Sequence, residues 1–230
     1  MEAFLKKQKS IFEDANESMV IDNHFQHNMD LNYWNILLKT VKYNPDNWTG
    51  KSALDIGCGC GRNIRNLFEL APFKNVDGVD ISKKNVDYSL KYIQKIFPER
   101  SCHTWENDGH TLKPAKDESY DFIMSHQVFQ HIANYEVRFS LLKESYRLLK
   151  KSGLFSFHFM DLEDYCLYHE NSSEPKNVYI ESAKNVVEDL VKVGFKIEEI
   201  AYQQTRRQQI NLLTDTNNCG PLEYYFIAKK

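Results

Sequence analysis

The chain of 230 residues carries 29 basic and 32 acidic side chains for a formal net charge of −3, and 42% of it is hydrophobic. That is enough apolar material to bury the core of one elaborated α/β domain, and the near balance of charge excludes a general electrostatic pull toward nucleic acid. Its five scattered cysteines (Cys58, Cys60, Cys102, Cys166 and Cys219) lack the spacing of a zinc site, no apolar run approaches membrane-spanning length, and residues 1–10 are too charged for a signal peptide. Free thiols in a reducing cytoplasm, with no metal and no membrane partner, are therefore expected.

Residues 1–50 show no strand-like alternation and are predicted to form one or two helices. Leu31, Trp34, Leu37, Leu38 and Val41 fall on one helical face, and 44–50 reads as a turn. From Lys51 the pattern becomes an alternation of strands and helices. A short apolar strand at 52–56 runs through a glycine-rich turn into a helix carrying Ile64, Leu67 and Phe68. A second strand at 76–80 precedes a helix with Val86, Leu90, Ile93 and Phe97 on one side, stopped by Pro98.

Strands are then predicted at 101–106 and 120–125, followed by an amphipathic helix at 135–151 that Gly153 ends. A fifth strand at 154–159, a helix at 179–193 ended by Gly194, and strands at 195–202 and 222–229 complete the chain. Alternation of this kind implies an α/β fold: a doubly wound, mostly parallel seven-stranded sheet with helices on both faces. The closing strand–loop–strand predicts an antiparallel last strand. Residues 1–50 are expected to be a helical cap or lid belonging to the same domain as 51–230.

The informative stretch is Ala53-Leu-Asp-Ile-Gly-Cys-Gly-Cys-Gly61. Glycines allow a sharp turn and close approach of a ligand to the main chain, and the helix N-terminus that follows offers unpaired N–H groups. Asp80 ends the next strand, at the distance from the loop where an acid binds ribose hydroxyls in dinucleotide folds. A nicotinamide loop, however, requires Gly-x-Gly-x-x-Gly/Ala. Counting from Gly57 places Arg62 at the third small position, and counting from Gly59 places Ile64 there. No Gly-Lys-Ser/Thr is present for a nucleoside triphosphate. A pyrophosphate ligand is disfavoured.

Together these segments resemble the class I (Rossmann-like) S-adenosylmethionine-dependent methyltransferase family over roughly residues 50–160. Asp55-x-Gly57-x-Gly59-x-Gly61 resembles its first motif, and Asp80-Ile81 resembles the acidic strand end that holds both ribose hydroxyls. Asp108-Gly109 resembles the acid that meets the adenine amino group, and Tyr120–His131 resembles the fourth-strand motif, which sets His126 and Gln127 beside the cofactor. The resemblance implies S-adenosylmethionine as cofactor and S-adenosylhomocysteine as product, with Asp55 on the methionyl ammonium side. Asp55 and Asp108 also read as ordinary turn residues.

Methyl transfer from a sulfonium needs alignment above all, and a base only when the acceptor is protonated. Candidates are His126, His131, His158, Asp161 and Tyr165, all at strand ends or in the loops beyond; His131 and Tyr165 are the catalytic choices, with a structural role for His131 equally open. No Asp/Asn-Pro-Pro-Tyr/Phe follows strand four and no Pro-Cys is present, which weighs against adenine amino and pyrimidine C5 methylation. Arg206 and Arg207 form the one basic patch. The expected function is methylation of O or N on a small-molecule acceptor by a monomer or homodimer. RNA or protein methylation, and cofactor binding without chemistry, are the alternatives. Tyr33 and Trp34 mark a helix with the size to close over the methionyl end.

Overall fold

The computed structural model describes residues 1–14, 36–160, 165–180, 182–204 and 222–230. Tyr33, Trp34, Asp161, Arg206, Arg207 and Cys219 lie outside the described residues, as does the side chain of Tyr165. The elements are α1 (Glu2–Asp14), α2 (Lys39–Lys42), β1 (Ser52–Ile56), α3 (Arg62–Leu70), β2 (Asn75–Asp80), α4 (Lys83–Ile96), β3 (Thr104–Glu106), β4 (Tyr120–Ser125), α5 (Tyr135–Leu148), β5 (Leu149–Met160), β6 (Tyr165–Leu167), β7 (Asn177–Tyr179), α6 (Lys184–Val193), β8 (Lys196–Gln204) and β9 (Leu222–Lys229).

Seven strands form one sheet in the order β3-β2-β1-β4-β5-β9-β8. Strands β1 to β5 pair in parallel, and β9 runs antiparallel to both β5 and β8. This is the expected architecture, a mostly parallel sheet with an antiparallel final strand. Period-two alternation sends successive side chains to opposite faces. Leu54, Ile56, Ile123, Phe155 and Phe157 join one apolar cluster, and Ala53, Phe122 and Met124 the other. The chain order reverses between β1 and β4, which opens a crevice at the strand C-termini. Ligands of doubly wound sheets bind there.

Several elements differ from their predicted bounds. The helix expected to reach 151 ends at Leu148, because fully buried Leu149 pairs with Tyr120 and begins β5. The helix expected from 179 begins at Lys184. Val178 and Ile180 are both buried at period-two spacing, so that segment pairs instead, as β7 beside β6 in a small parallel sheet. The strand expected at 101–106 is regular only over Thr104–Glu106, with Ser101 keeping a single bridge to Asn75.

Candidate ligand cavity at the strand C-termini

The β1–α3 loop sets the floor of a cavity of about 350 Å³, within the range of small-molecule sites. Gly57, Gly59 and Gly61 all take positive φ (+73°, +50° and +91°), where a side chain would be strained. Their surroundings differ. A Cβ at Gly57 would sit 2.2 Å from Val128 and one at Gly61 2.7 Å from Ser89 Oγ, whereas one at Gly59 would meet nothing within 4 Å. Two glycines thus permit close packing, and Gly59 keeps its side of the cavity clear.

Four amides of the loop are bonded inside the protein. Gly57 and Cys58 N–H donate to Val79 O at 2.7 and 3.0 Å, Gly61 N–H to Cys58 O at 3.0 Å, and Gly59 N–H to Asp80 Oδ2 at 2.9 Å. The first turn of α3, which has no side-chain cap, is what the loop offers to a carboxylate. The sequence pointed to ligand-facing amides in the loop itself; Val79 and Asp80 of β2 take three of them and Cys58 O a fourth.

Asp80 ends β2 in the cavity wall, nearly buried, with Oδ1 accepting from Ser82 N–H (2.9 Å) and Asn85 Nδ2 (3.3 Å). Burial raises its pKa, and these bonds together with the one from Gly59 oppose that rise. The carboxylate is therefore clamped in one orientation, with a lone pair of Oδ2 remaining for a hydroxyl donor. Asp55 is fully buried behind the lining, and neither of its oxygens has a hydrogen-bond partner of good geometry. Burial pushes its pKa up to about 8, with Arg62 opposing the rise and Asp80 adding to it. Asp108 also lies off the wall: its carboxylate accepts from His110 N–H (3.0 Å), Thr111 N–H (2.6 Å) and Thr111 Oγ1 (2.8 Å), closing its own turn. Its neighbours Asn107 and Gly109 do line the cavity, as does Ile81.

The segment after β4 supplies His126, Gln127 and His131 to the wall. His126 Nδ1 lies 2.9 Å from Arg62 Nη2, and its ring stacks on His158 with centroids 4.7 Å apart. His158 sits behind it, accepting from Gln127 N–H at Nδ1 (3.3 Å), and burial lowers its pKa to about 3. His131 Nδ1 meets Asn177 Oδ1 at 2.9 Å, and burial lowers its pKa despite that bond. The Asn177 oxygen accepts, so Nδ1 holds the proton and Nε2 keeps its lone pair. Among the described residues, no three His, Cys, Asp or Glu side chains converge as a metal site, and no helix is long and apolar enough to cross a membrane.

The sequence reading expected a cap from residues 1–50 but named none of Leu5, Gln8 and Phe12, which α1 brings to the cavity. Gln8 Nε2 donates to His131 O at 3.1 Å, Phe12 packs edge-on against the His131 ring at 6.3 Å, and Lys9 pairs with Glu106 beyond β3. The signal present in the sequence is weak: Phe4, Leu5, Gln8 and Phe12 sit at helical spacing, but a polar residue interrupts the stripe. Arg62 was legible only as a misfit to the nicotinamide fingerprint.

A family model described as a methyltransferase domain matches residues 54–157. Malonyl-[acyl-carrier protein] O-methyltransferase 2 of Ilyobacter polytropus is 29% identical over 154 residues, 64% of this chain and 56% of that protein. The chain spans from about a third to just over half the length of the curated relatives it matches. Among solved structures, phosphoethanolamine N-methyltransferase 2 of Haemonchus contortus, in complex with S-adenosyl-L-methionine, superposes with a TM-score of 0.62 at 18% identity, covering 95% of this chain and 60% of that one. The [4+2]-cyclase SpnF gives 0.62 at 15% identity over 84% and 80%. At such identities the superpositions show the fold alone.

Proposed function

We propose, for a chain that residues 54–157 place in the class I S-adenosylmethionine-dependent methyltransferase family, that it transfers a methyl group to an oxygen or nitrogen of a small-molecule acceptor. The observation that carries this reading is the wall itself: a clamped carboxylate at Asp80, the open face of Gly59 and the histidine His131 border one cavity. Such a wall suits a ligand with vicinal hydroxyls and no phosphate. Asp80 would hold the ribose hydroxyls, Ile81 and Gly109 would flank the adenine, and the first turn of α3 with Arg62 would face the methionyl carboxylate. Asp55, behind the wall and lacking its own partners, would act on the methionyl ammonium from below.

When bound, the cofactor supplies an already activated methyl group. The residues of this chain orient and deprotonate. His131, neutral at ordinary pH, is the group in the wall suited to take a proton from an O–H or N–H acceptor at Nε2. His126 is not, because its Nδ1 accepts from Arg62 and the proton must then sit on Nε2. Tyr165 remains a proposal from the sequence. Polar and charged groups border one cavity of small-molecule size, which supports this reading over RNA or protein methylation.

The test is incubation with labelled cofactor and cell extract divided into small-molecule and macromolecular fractions. Label is expected in the small-molecule fraction. Label in protein or RNA alone would replace the acceptor class. Binding without any transfer would leave a cofactor-binding protein without chemistry; the cyclase superposition shows only that one fold accommodates other reactions.

A further inference from the structure

The exocyclic amine of an adenine in this cavity needs an acceptor, and the acid at the expected position stands outside the lining. Asp108 takes three hydrogen bonds from its own turn and stands outside the lining. Asn107 donates its amide to Thr111 O at 3.0 Å within the same turn. Across the cavity, α1 lays Leu5 against Gly109 and Ile81: a Cβ on Gly109 would lie 2.7 Å from Leu5 Cδ2 and 2.9 Å from Ile81 Cδ1. This is the end where the base would rest.

Gln8 follows Leu5 by one helical turn, so it shares that face. It is 6% exposed and lines the cavity. Its amide is oriented, because Nε2 donates to His131 O, and that turns Oε1 away from the carbonyl. Oε1 is buried with no partner. A buried amide oxygen without a donor is unfavourable until a donor arrives.

We infer that Gln8 Oε1, and not the Asp108 carboxylate, accepts the hydrogen bond from the 6-amino group of the adenine, making α1 the element that distinguishes adenine from other purines. The inference rests on the reading of the cavity as an S-adenosyl site. It assigns recognition of the base to a helix 97 or more residues away in sequence from the groups it contacts at Glu106 and His131.

The experiment compares S-adenosylhomocysteine with its purine riboside analogue, in which hydrogen replaces the 6-amino group, by calorimetry on the full chain. Wild-type protein is expected to bind the adenosyl compound about tenfold or more tightly, because the analogue leaves Oε1 unpaired. Gln8→Met should bring the two affinities together. Asp108→Ser, whose hydroxyl still caps the turn but is too short to reach a base, should keep the full preference. Should Gln8→Met not fold, judged by circular dichroism, the Asp108→Ser preference decides. A preference unchanged in Gln8→Met, absent in wild type or lost in Asp108→Ser overturns the assignment. If the wild-type protein binds neither compound, it is the cofactor reading that fails instead.

Discussion

Arg62 donates to Nδ1 of His126 across 2.9 Å, and a guanidinium has no lone pair to offer in return. His126 is thereby fixed as a neutral ring with its proton on Nε2, a donor to whatever occupies the cavity. His131, five residues on, has the opposite tautomer, since Asn177 Oδ1 takes the bond at its Nδ1. Two histidines of one short segment thus present a donor and an acceptor, set by partners on α3 and β7.

The first prediction follows from that pairing. His131→Gln is expected to lower kcat by roughly 10²–10⁴ and to remove the acidic limb of the pH–rate profile. In wild type that limb should lie below pH 6.5, since burial lowers the His131 pKa from that ordinary value. His126→Gln should reduce activity without moving the limb. A limb that persists in His131→Gln would assign the base elsewhere.

Asp80→Ala is expected to weaken S-adenosylhomocysteine binding by about 1.5–3 kcal/mol, through loss of charge-assisted hydrogen bonds to two hydroxyls. Sequence reasoning alone would leave folding untouched by this change. The structure adds a second effect, because the carboxylate also accepts from Gly59 and Ser82 N–H and holds the loop in shape. The thermal midpoint without ligand should therefore fall as well. Calorimetry and a melting curve on the same preparation separate the two effects.

Ligand class can be read from the melting temperature. Saturating S-adenosylhomocysteine should raise it, as any native-state ligand must, and NAD should not. The four loop amides bonded inside the protein are not available to a pyrophosphate. Stabilisation by NAD alone would reverse the assignment of the cavity.

Two buried groups give stability opposite dependences on pH. The folded state resists protonating His158 down to about pH 3, while the unfolded chain takes a proton near 6.5. Stability is then lost as pH falls through that window, by up to about 1.4 kcal/mol per unit. Asp55 keeps its proton up to about pH 8 when folded, against 3.8 ordinarily, so its contribution is lost as pH rises. Above pH 6.5 only the second effect operates. Asp55→Asn should gain in thermal midpoint over wild type from pH 6.5 through pH 8, and His158→Gln should flatten the acid side. Parallel melting curves across the range would refute both.

A lid role is proposed for α1 as well, on the residues it supplies to the cavity. Its polar ties to the body include the ion pairs Lys7–Glu174 and Lys9–Glu106, the bond from Gln8, and the backbone N–H of Lys83 and Nζ of Lys84 donating to Glu13, while Phe4 is buried in the main apolar cluster. Partly exposed ion pairs contribute about 0–1 kcal/mol each, so the helix is held chiefly by the burial of Phe4 near its start, and its later turns have the weaker hold. Bound cofactor should slow amide exchange across residues 2–14 by more than it does in β4 or β5. Equal slowing everywhere would mean the helix is simply part of the body. Whether Tyr33 and Trp34 share this role is tested by protease cleavage within residues 1–40, with and without cofactor.

The sheet was legible because its strands are short apolar runs punctuated by glycine and proline, and β1, β4 and β9 fall at their expected bounds. Asp80 was legible for a related reason: an acid ending a buried strand has little else to do. The turn around Asp108 was not, since a carboxylate free to bind ligand and one closing its own turn share a sequence. Nor was Gln8, whose meaning depends on the carbonyl of His131. Helix ends were misplaced where burial at period two, at Val178 and Ile180, overrode a helical stripe.

The placement of α1 has a consequence for how the protein is made. Its partners Glu106, His131 and Glu174 lie 97, 123 and 167 residues downstream of Lys9, Gln8 and Lys7. Loop closure over such separations is slow and comes only after the distant surface has been synthesised and folded. The helix that leaves the ribosome early is thus among the last to dock. Until it does, the crevice between β1 and β4 stays uncovered, and a nascent chain is open to its ligand before the roof is laid.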